Sequence, residues 1–243
     1  MVSSAPQTMD LTTIRAVLKE LQKGIIPSRF EKALHPEPHT LQLGFRTLEG
    51  MIWLEISWRP DAPRIVIVSS PSYECGESTL AKQLQHGLRQ MALTNLDQEG
   101  FERVIEFGLT KRIGEPVYRS LVVELMGRHS NLLLLDQNRR VITLGRKIKA
   151  HHSRVRPIGT GDTYFPPPSL KGIKPSQEES FERWQDRLCK SPKTLKEALL
   201  ENYQGVSPSL ALQLTSSNKE KARIILNKPV RQISEKEWKR IYK

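Results

Sequence analysis

Glu124-Leu-Met-Gly-Arg-His-Ser-Asn-Leu-Leu-Leu-Leu-Asp136 sets a short polar break between two strongly apolar runs. Gly127 and Asn131 are turn formers, and Tyr118–Met126 and Asn131–Asp136 have the length and composition of strands. The stretch therefore reads as a β-hairpin, with Met126–Asn131 as its loop. His129 stands there without neighbouring carboxylates or thiolates, so the loop does not make a metal site. As a general base, His129 would need a nucleophile that this stretch does not identify.

Outward from this hairpin the chain repeats one order of elements. Before it come a helix from Ser78 to Met91, with Leu80, Leu84, Leu88 and Met91 on one face, and a strand from Glu102 to Leu109. After it, beyond the short loop Asp136-Gln-Asn-Arg, comes a strand from Arg140 to Leu144. The front of the chain has the same order. A helix over residues 10–23 carries Leu11, Ile14, Val17, Leu18 and Leu21 at helical spacing, with Asp10 as N-cap and Gly24 as stop. Four β-rich runs follow: Ile25–Leu34, Thr40–Thr47, Met51–Trp58 and Arg64–Ser69, divided by Pro36, Pro38, Glu49-Gly50 and Pro60–Pro63. Met51–Trp58 alternates only loosely, as a strand covered on both faces does. Helix plus about four strands, twice, predicts an α+β domain. Its expected form is a β-sandwich of two small antiparallel sheets with flanking helices.

Pro166-Pro167-Pro168 favours an extended, stiff segment and closes this region. Beyond it the periodicity is almost purely helical: 179–189, 193–203, 208–215, 217–227 and 234–242. The predicted division is residues 1–168, β-rich, and 169–243, helical.

Composition narrows the function. The 243 residues carry 38 Lys+Arg against 26 Asp+Glu, a formal charge of +12 that points to polyanions. Cys75 and Cys189 stand alone and far apart, which excludes a disulfide framework or a zinc ribbon and suits a reducing compartment. No apolar run approaches the roughly 18 residues of a membrane span. The start, Met-Val-Ser-Ser-Ala-Pro-Gln-Thr, is too short and too weakly apolar for a signal peptide. The expectation is a soluble, cytoplasmic protein, or one of an organelle stroma if a transit peptide precedes it. There is no Walker A, G-x-G-x-x-G, G-x-S-x-G or H-E-x-x-H pattern, so no enzyme activity, cofactor or small-molecule substrate is expected. Aromatic content of 6% is low for a base-stacking single-strand binder.

Two segments have the chemistry to hold phosphate. Arg139, Arg140, Arg146, Lys147, Lys149, Arg154 and Arg156 lie with His151 and His152 in a run that has no acid between Asp136 and Asp162. The run suits phosphate contact, or else is a solvated loop of a basic protein. Tyr203-Gln-Gly-Val-Ser-Pro-Ser209 joins two helices. Ser207 can cap the second and Pro208 fits its first turn. Such a hairpin can aim free N–H groups at phosphate, or serve as a plain connector.

The string Glu124–Asp136 also resembles the NFACT family, the fibronectin-binding-A-like, RqcH and NEMF-type ribosome quality-control proteins. The resemblance continues in order along the chain, through Asp10–Leu21, Leu84-Gln-His-Gly-Leu88 and Phe101-Glu-Arg-Val-Ile-Glu-Phe107. It then takes in Ser153-Arg-Val-Arg-Pro157, Gly161-Asp-Thr-Tyr164, Pro166–Pro168 and Gly205–Ala211. It covers nearly all of this sequence but only the family's N-terminal part. The coiled coil and C-terminal RNA-binding domain lie outside it, so a natural short form or a truncation is expected.

The resemblance implies a fold like that of formamidopyrimidine-type DNA glycosylases, a β-sandwich followed by a helical domain of helix-hairpin-helix character. It implies binding to a stalled large ribosomal subunit and to peptidyl- and aminoacyl-tRNA, in support of template-free tailing of nascent chains. It makes Glu102 and Arg103 the tRNA-facing pair, with Glu102 standing where the family has Asp. Arg128, Arg146, Lys147, Lys149, Arg154 and Arg156 would add phosphate contacts. The glycosylase likeness offers a rival, a DNA-binding or repair protein. This chain has neither the Pro-Glu start that supplies the amine nucleophile nor a zinc finger. A fibronectin-binding adhesin, a third class, conflicts with the N-terminal sequence.

Overall fold

A computed structural model describes residues 9–71, 78–149, 156–168 and 170–242. Cys75, His151, His152 and Arg154 lie outside the described residues. The chain divides into two compact units, one of Met1–Met9 and Thr13–Pro167, the other of Asp10–Thr12 and Pro168–Lys243.

The first unit is built on helix α1 (Leu11–Ile25), strands β1 (Ser28–Glu37), β2 (Thr40–Arg46), β3 (Met51–Ser57) and β4 (Arg64–Val68), and helix α2 (Thr79–Leu88). Five more strands follow: β5 (Ala92–Asp97), β6 (Val104–Thr110), β7 (Arg119–Glu124), β8 (Asn131–Leu135) and β9 (Val141–Leu144). They do not form two sheets. Among the described residues all nine strands make one antiparallel sheet in the order β4-β3-β2-β1-β5-β6-β7-β8-β9.

The sandwich expected from the sequence is corrected by one strand. Ala92-Leu-Thr-Asn-Leu-Asp97 has weak strand composition, with Asn and Asp among its six residues, and directly follows a helix. It nevertheless pairs with β1 through Ser28↔Leu93 and Arg29↔Ala92, and with β6 from Ala92↔Thr110 to Asp97↔Glu106. That bridge fuses the two four-stranded blocks.

The sheet curls upon itself. Register shifts in β1 and β5 bend it. Gly145, after β9, comes so close to Trp58, after β3, that a β-carbon there would lie 2.6 Å from the indole Cε2. Helix α2 fills the curl. Its Gln85 accepts from Ala33 N (2.9 Å) and donates to Glu31 O (2.9 Å), while Thr143 Oγ1 of β9 donates to Gln83 Oε1 (2.5 Å). Ile14, Leu18, Leu21 and Ile25 of α1 join Leu84 and Leu88 of α2 in the core enclosed by the sheet.

The hairpin at Glu124–Asp136 is present as β7 and β8, registered from Ser120↔Leu135 to Glu124↔Asn131. Its unbroken Leu run has a simple cause. Leu132 and Leu134 face the main core, while Leu133 and Leu135 face a second cluster with Val122, Val141, Ile158 and Tyr164. The returning segment supplies that cover through the bridges Arg140↔Thr163 and Ile148↔Ile158.

The second unit holds α3 (Phe181–Cys189), α4 (Leu195–Asn202), α5 (Pro208–Thr215), α6 (Lys219–Leu226) and α7 (Glu235–Tyr242). Ser180, Thr194, Ser207 and Asn218 cap the first four through side-chain oxygens. Leu188, Leu195, Leu199, Ile225 and Trp238 are among its buried residues, and Trp184 meets Trp238 edge-on at 5.3 Å. Ser207 accepts from Leu210 N (2.9 Å) and donates to Asp10 Oδ2 (2.8 Å). The helix start that could have aimed at phosphate thus has an internal carboxylate beside it.

Candidate nucleic-acid interface

The β6–β9 half of the sheet gathers several of the expected residues at one end. Val104 opposes Glu124 and Glu124 opposes Asn131. Arg103, Leu125, Ser130 and Arg146 therefore leave four adjacent strands on the same side.

Glu102 and Arg103 do not lie within a strand. They form the bend just before β6, both half-buried. The approach to that bend is held by residues the sequence does not single out. Gln98 Nε2 is within hydrogen-bonding distance of the carbonyls of Glu99 (2.9 Å), Gly100 (3.0 Å) and Glu102 (2.8 Å). Arg15 of α1 donates through Nε to Gln98 Oε1 (3.1 Å) and through Nη2 to Gly100 O (2.7 Å), with its guanidinium 5.1 Å from the Phe101 ring centroid. Gly100 takes φ +60°, the left-handed region that a side chain disfavours. Leu125 N donates to Arg103 O (2.9 Å), which ties the bend to the β7 end.

Across the hairpin, Gly127–His129 forms a single 3-10 turn entered by Gly127 at φ +57°. Ser130 Oγ accepts from Met126 N (2.8 Å) and closes the loop. The Asn131 side chain, fully buried, grips the backbone of Arg146 twice. Its Nδ2 donates to Arg146 O (2.8 Å) and its Oδ1 accepts from Arg146 N (2.9 Å). Arg146 in turn donates through Nη2 to Arg128 O (2.6 Å), while its buried Nε has no hydrogen-bond partner. Arg128 is exposed beside it. The Arg146 guanidinium is thereby anchored on the backbone of a residue 18 positions away, whose own Nε donates to His129 Nε2 (3.1 Å). Lys147 and Lys149 follow, both exposed, on either side of the Ile148↔Ile158 bridge.

Arg156 is used differently. Its Nη1 and Nη2 donate to the two carboxylate oxygens of Glu124 at 3.0 and 2.7 Å, and its Nε donates to Phe165 O (2.9 Å). Glu124 is 1% exposed, and Tyr164 also donates to it (3.0 Å). Burial and the Glu124 carboxylate push the Tyr164 phenol well above its ordinary range. Arg139 likewise pairs with Glu106 at 2.5 Å and lies 5.2 Å from the Tyr164 ring centroid. The acid-free run is therefore not unopposed. Strands β6 and β7 supply carboxylates that sequence distance conceals. Among the described residues no cluster of His, Cys, Asp and Glu is arranged to hold a metal ion. No helix of the described residues is long and apolar enough to cross a membrane.

Residues 10–243 match the family model of NFACT N-terminal and middle domains. The chain is 29% identical over 204 residues to the Rqc2 homolog RqcH of Bacillus subtilis, covering 79% of this chain and 34% of that protein. It is 24% identical over 205 residues to the Rqc2 homolog RqcH of Streptococcus pneumoniae, covering 82% and 36%. It thus spans about a third of the curated relatives' length. Among solved structures, it resembles the N-terminal domain of fibronectin-binding protein PavA from Streptococcus pneumoniae, with TM-score 0.70 and 23% identity over 88% of this chain and 78% of that one. The N-terminal part of the fibronectin/fibrinogen-binding protein from Streptococcus suis gives TM-score 0.71 and 20% identity over 91% and 85%. These likenesses concern the fold. The hairpin string, the β-rich and helical units and the match from residue 10 onward together mean that the chain belongs to the NFACT family, in the part that forms its N-terminal and middle domains.

Proposed function

We propose that this chain is a non-catalytic RNA-binding module that engages tRNA on a stalled large ribosomal subunit. In longer relatives the same module would support template-free tailing of the nascent chain. The observation that carries this reading is the shared strand end at which Arg103, Arg128 and Arg146 emerge together. Several arginines at one sheet end suit a phosphate backbone, because they can neutralise several charges without needing base edges. Glu102 and Arg103 are the tRNA-facing pair. Arg128, Arg146, Lys147 and Lys149 supply supporting contacts, and Arg156 does not, because Glu124 takes its charge. Similarity to proteins named RqcH supports the ribosomal setting.

Sucrose-gradient sedimentation with tRNA crosslinking tests this. Glu102→Ala/Arg103→Ala should lose most of the tRNA recovered with the wild-type chain in the large-subunit fraction. Equal recovery from both proteins would overturn the assignment. The structural relatives are named for binding fibronectin and fibrinogen. Saturable binding of the wild-type chain to immobilised fibronectin, with no tRNA retained, would favour that reading.

A further inference from the structure

The hairpin joining β6 to β7 carries a second cationic surface, at the far end of β6 from Arg103. Residues 111–117, Lys-Arg-Ile-Gly-Glu-Pro-Val, are exposed throughout. Lys111 Nζ lies 3.8 Å from the Tyr118 ring centroid, and the Arg119 guanidinium carbon lies 4.2 Å from it. Arg119 donates through Nη1 to Tyr118 O (3.1 Å), and its Nε is buried with no hydrogen-bond partner.

Several other cations of this unit are neutralised by neighbouring acids. Arg29 and Arg46 pair with Glu31, Arg64 with Glu55, and Arg139 with Glu106. Among the described residues no carboxylate lies within ion-pair distance of Lys111, Arg112 or Arg119. An aromatic ring holds a cation in place without cancelling its charge, so the positive potential stays available to a partner. The loop is also ordered in advance. Gly114 turns at φ +89°, Glu115 N donates to Arg112 O (3.1 Å), and Tyr118 N donates to Leu109 O (2.8 Å). Gly108 leaves room for Val117, whose Cγ2 would lie 3.1 Å from a β-carbon at that position.

We propose that Lys111, Arg112 and Arg119 form a second contact for the RNA phosphate backbone. The inference rests on the RNA-binding reading above. The seven residues of β6 separate this loop from Arg103 by about 26 Å at roughly 3.3 Å per residue step, a span that one polynucleotide covers while touching both ends. The Tyr118 ring already holds two cations, so the loop offers charge and not a stacking platform for bases. The contact is accordingly to backbone and independent of base sequence.

The test is binding of fluorescent tRNA to the full chain, followed between 50 and about 200 mM salt. The proteins are wild type, Lys111→Gln/Arg112→Gln and Arg103→Ala. Removing two phosphate contacts should lower the slope of log affinity against log salt by about 2, about 1 per cation. Affinity at low salt should fall about tenfold or more, equally for tRNAs of different sequence, while the variant stays folded because both side chains are exposed. Retained tRNA binding with an unchanged slope would overturn the loop contact alone. Absence of tRNA binding by the wild-type chain would overturn the RNA-binding reading with it. Competition by polyglutamate as strong as that of an RNA of equal charge would overturn the assignment to RNA and make the loop a surface for acidic protein.

Discussion

The Arg156 guanidinium meets both oxygens of the Glu124 carboxylate, at 3.0 and 2.7 Å, across 32 residues of sequence. Glu124 is 1% exposed and the Arg156 side chain 16%. A carboxylate this deep is tolerated because three hydrogen bonds, two from Arg156 and one from Tyr164, replace its hydration. The pair fastens the returning segment over the outer face of β7 and β8.

Removing one partner of this pair leaves the other charge buried. Glu124→Met or Arg156→Met alone should therefore destabilise the protein by about 3–5 kcal/mol, read from urea denaturation. The double variant should cost clearly less than the sum, because no uncompensated charge remains. Strictly additive losses would show that the two side chains do not act as a pair.

The curl of the sheet makes its own prediction at Gly145. A β-carbon there would lie 2.6–2.9 Å from Cε2, Cζ2 and Nε1 of Trp58. The indole is rigid and 2% exposed, so it cannot step aside. Gly145→Ala should cost about 1–3 kcal/mol by overpacking. Gly24→Ala, with nothing within 4 Å, should be neutral or slightly stabilising because its site is helical. Equal stability of the two variants would mean that the strand ends do not meet.

In the helical unit, Glu237 gives a pH signature. The Lys228 ammonium, followed by the Ser234 backbone N–H, holds its carboxyl at about 2, against an ordinary value of 4.5. A carboxylate depressed on folding contributes stability that is present above the unfolded value and lost as pH falls through the folded one. The loss should run from about pH 5 down to about pH 2. Urea midpoints measured across that range should fall for wild type and fall less for Glu237→Gln. Parallel curves would remove Glu237 from the acid transition. At pH 7 the same variant should cost about 1 kcal/mol, since Ser234 and Glu237 also form the capping box of α7.

Local periodicity was enough to find most elements. Leu11, Ile14, Leu18 and Leu21 recur at helical spacing, and Leu132–Leu135 has the apolar continuity of a doubly buried strand. These signals depend on residues close in sequence. Ala92–Asp97 carries no such signal, because its strand state comes from two neighbours and not from its own composition.

The candidate site was legible in the same uneven way. The string around Asn131 stands out as residues, whereas the pair Glu102-Arg103 is marked only by the family resemblance. Nothing local showed that Arg15 and Gln98 brace the bend, or that Asn131 sets Arg146 beside Arg128. The charge of Lys111, Arg112 and Arg119 was countable, but the absence of a carboxylate beside them among the described residues was not.

By itself, then, the sequence determined the two compositional regions, the hairpin at Glu124–Asp136, the family and the sign of the chain's own net charge. All of these follow from composition and from order along the chain. The tertiary structure alone decided that nine strands make one sheet and that Arg156 and Arg139 are neutralised by strands β7 and β6. The reason is physical. Whether a strand finds neighbours, or a cation finds an acid, depends on separations of a few ångströms between residues that lie dozens of positions apart.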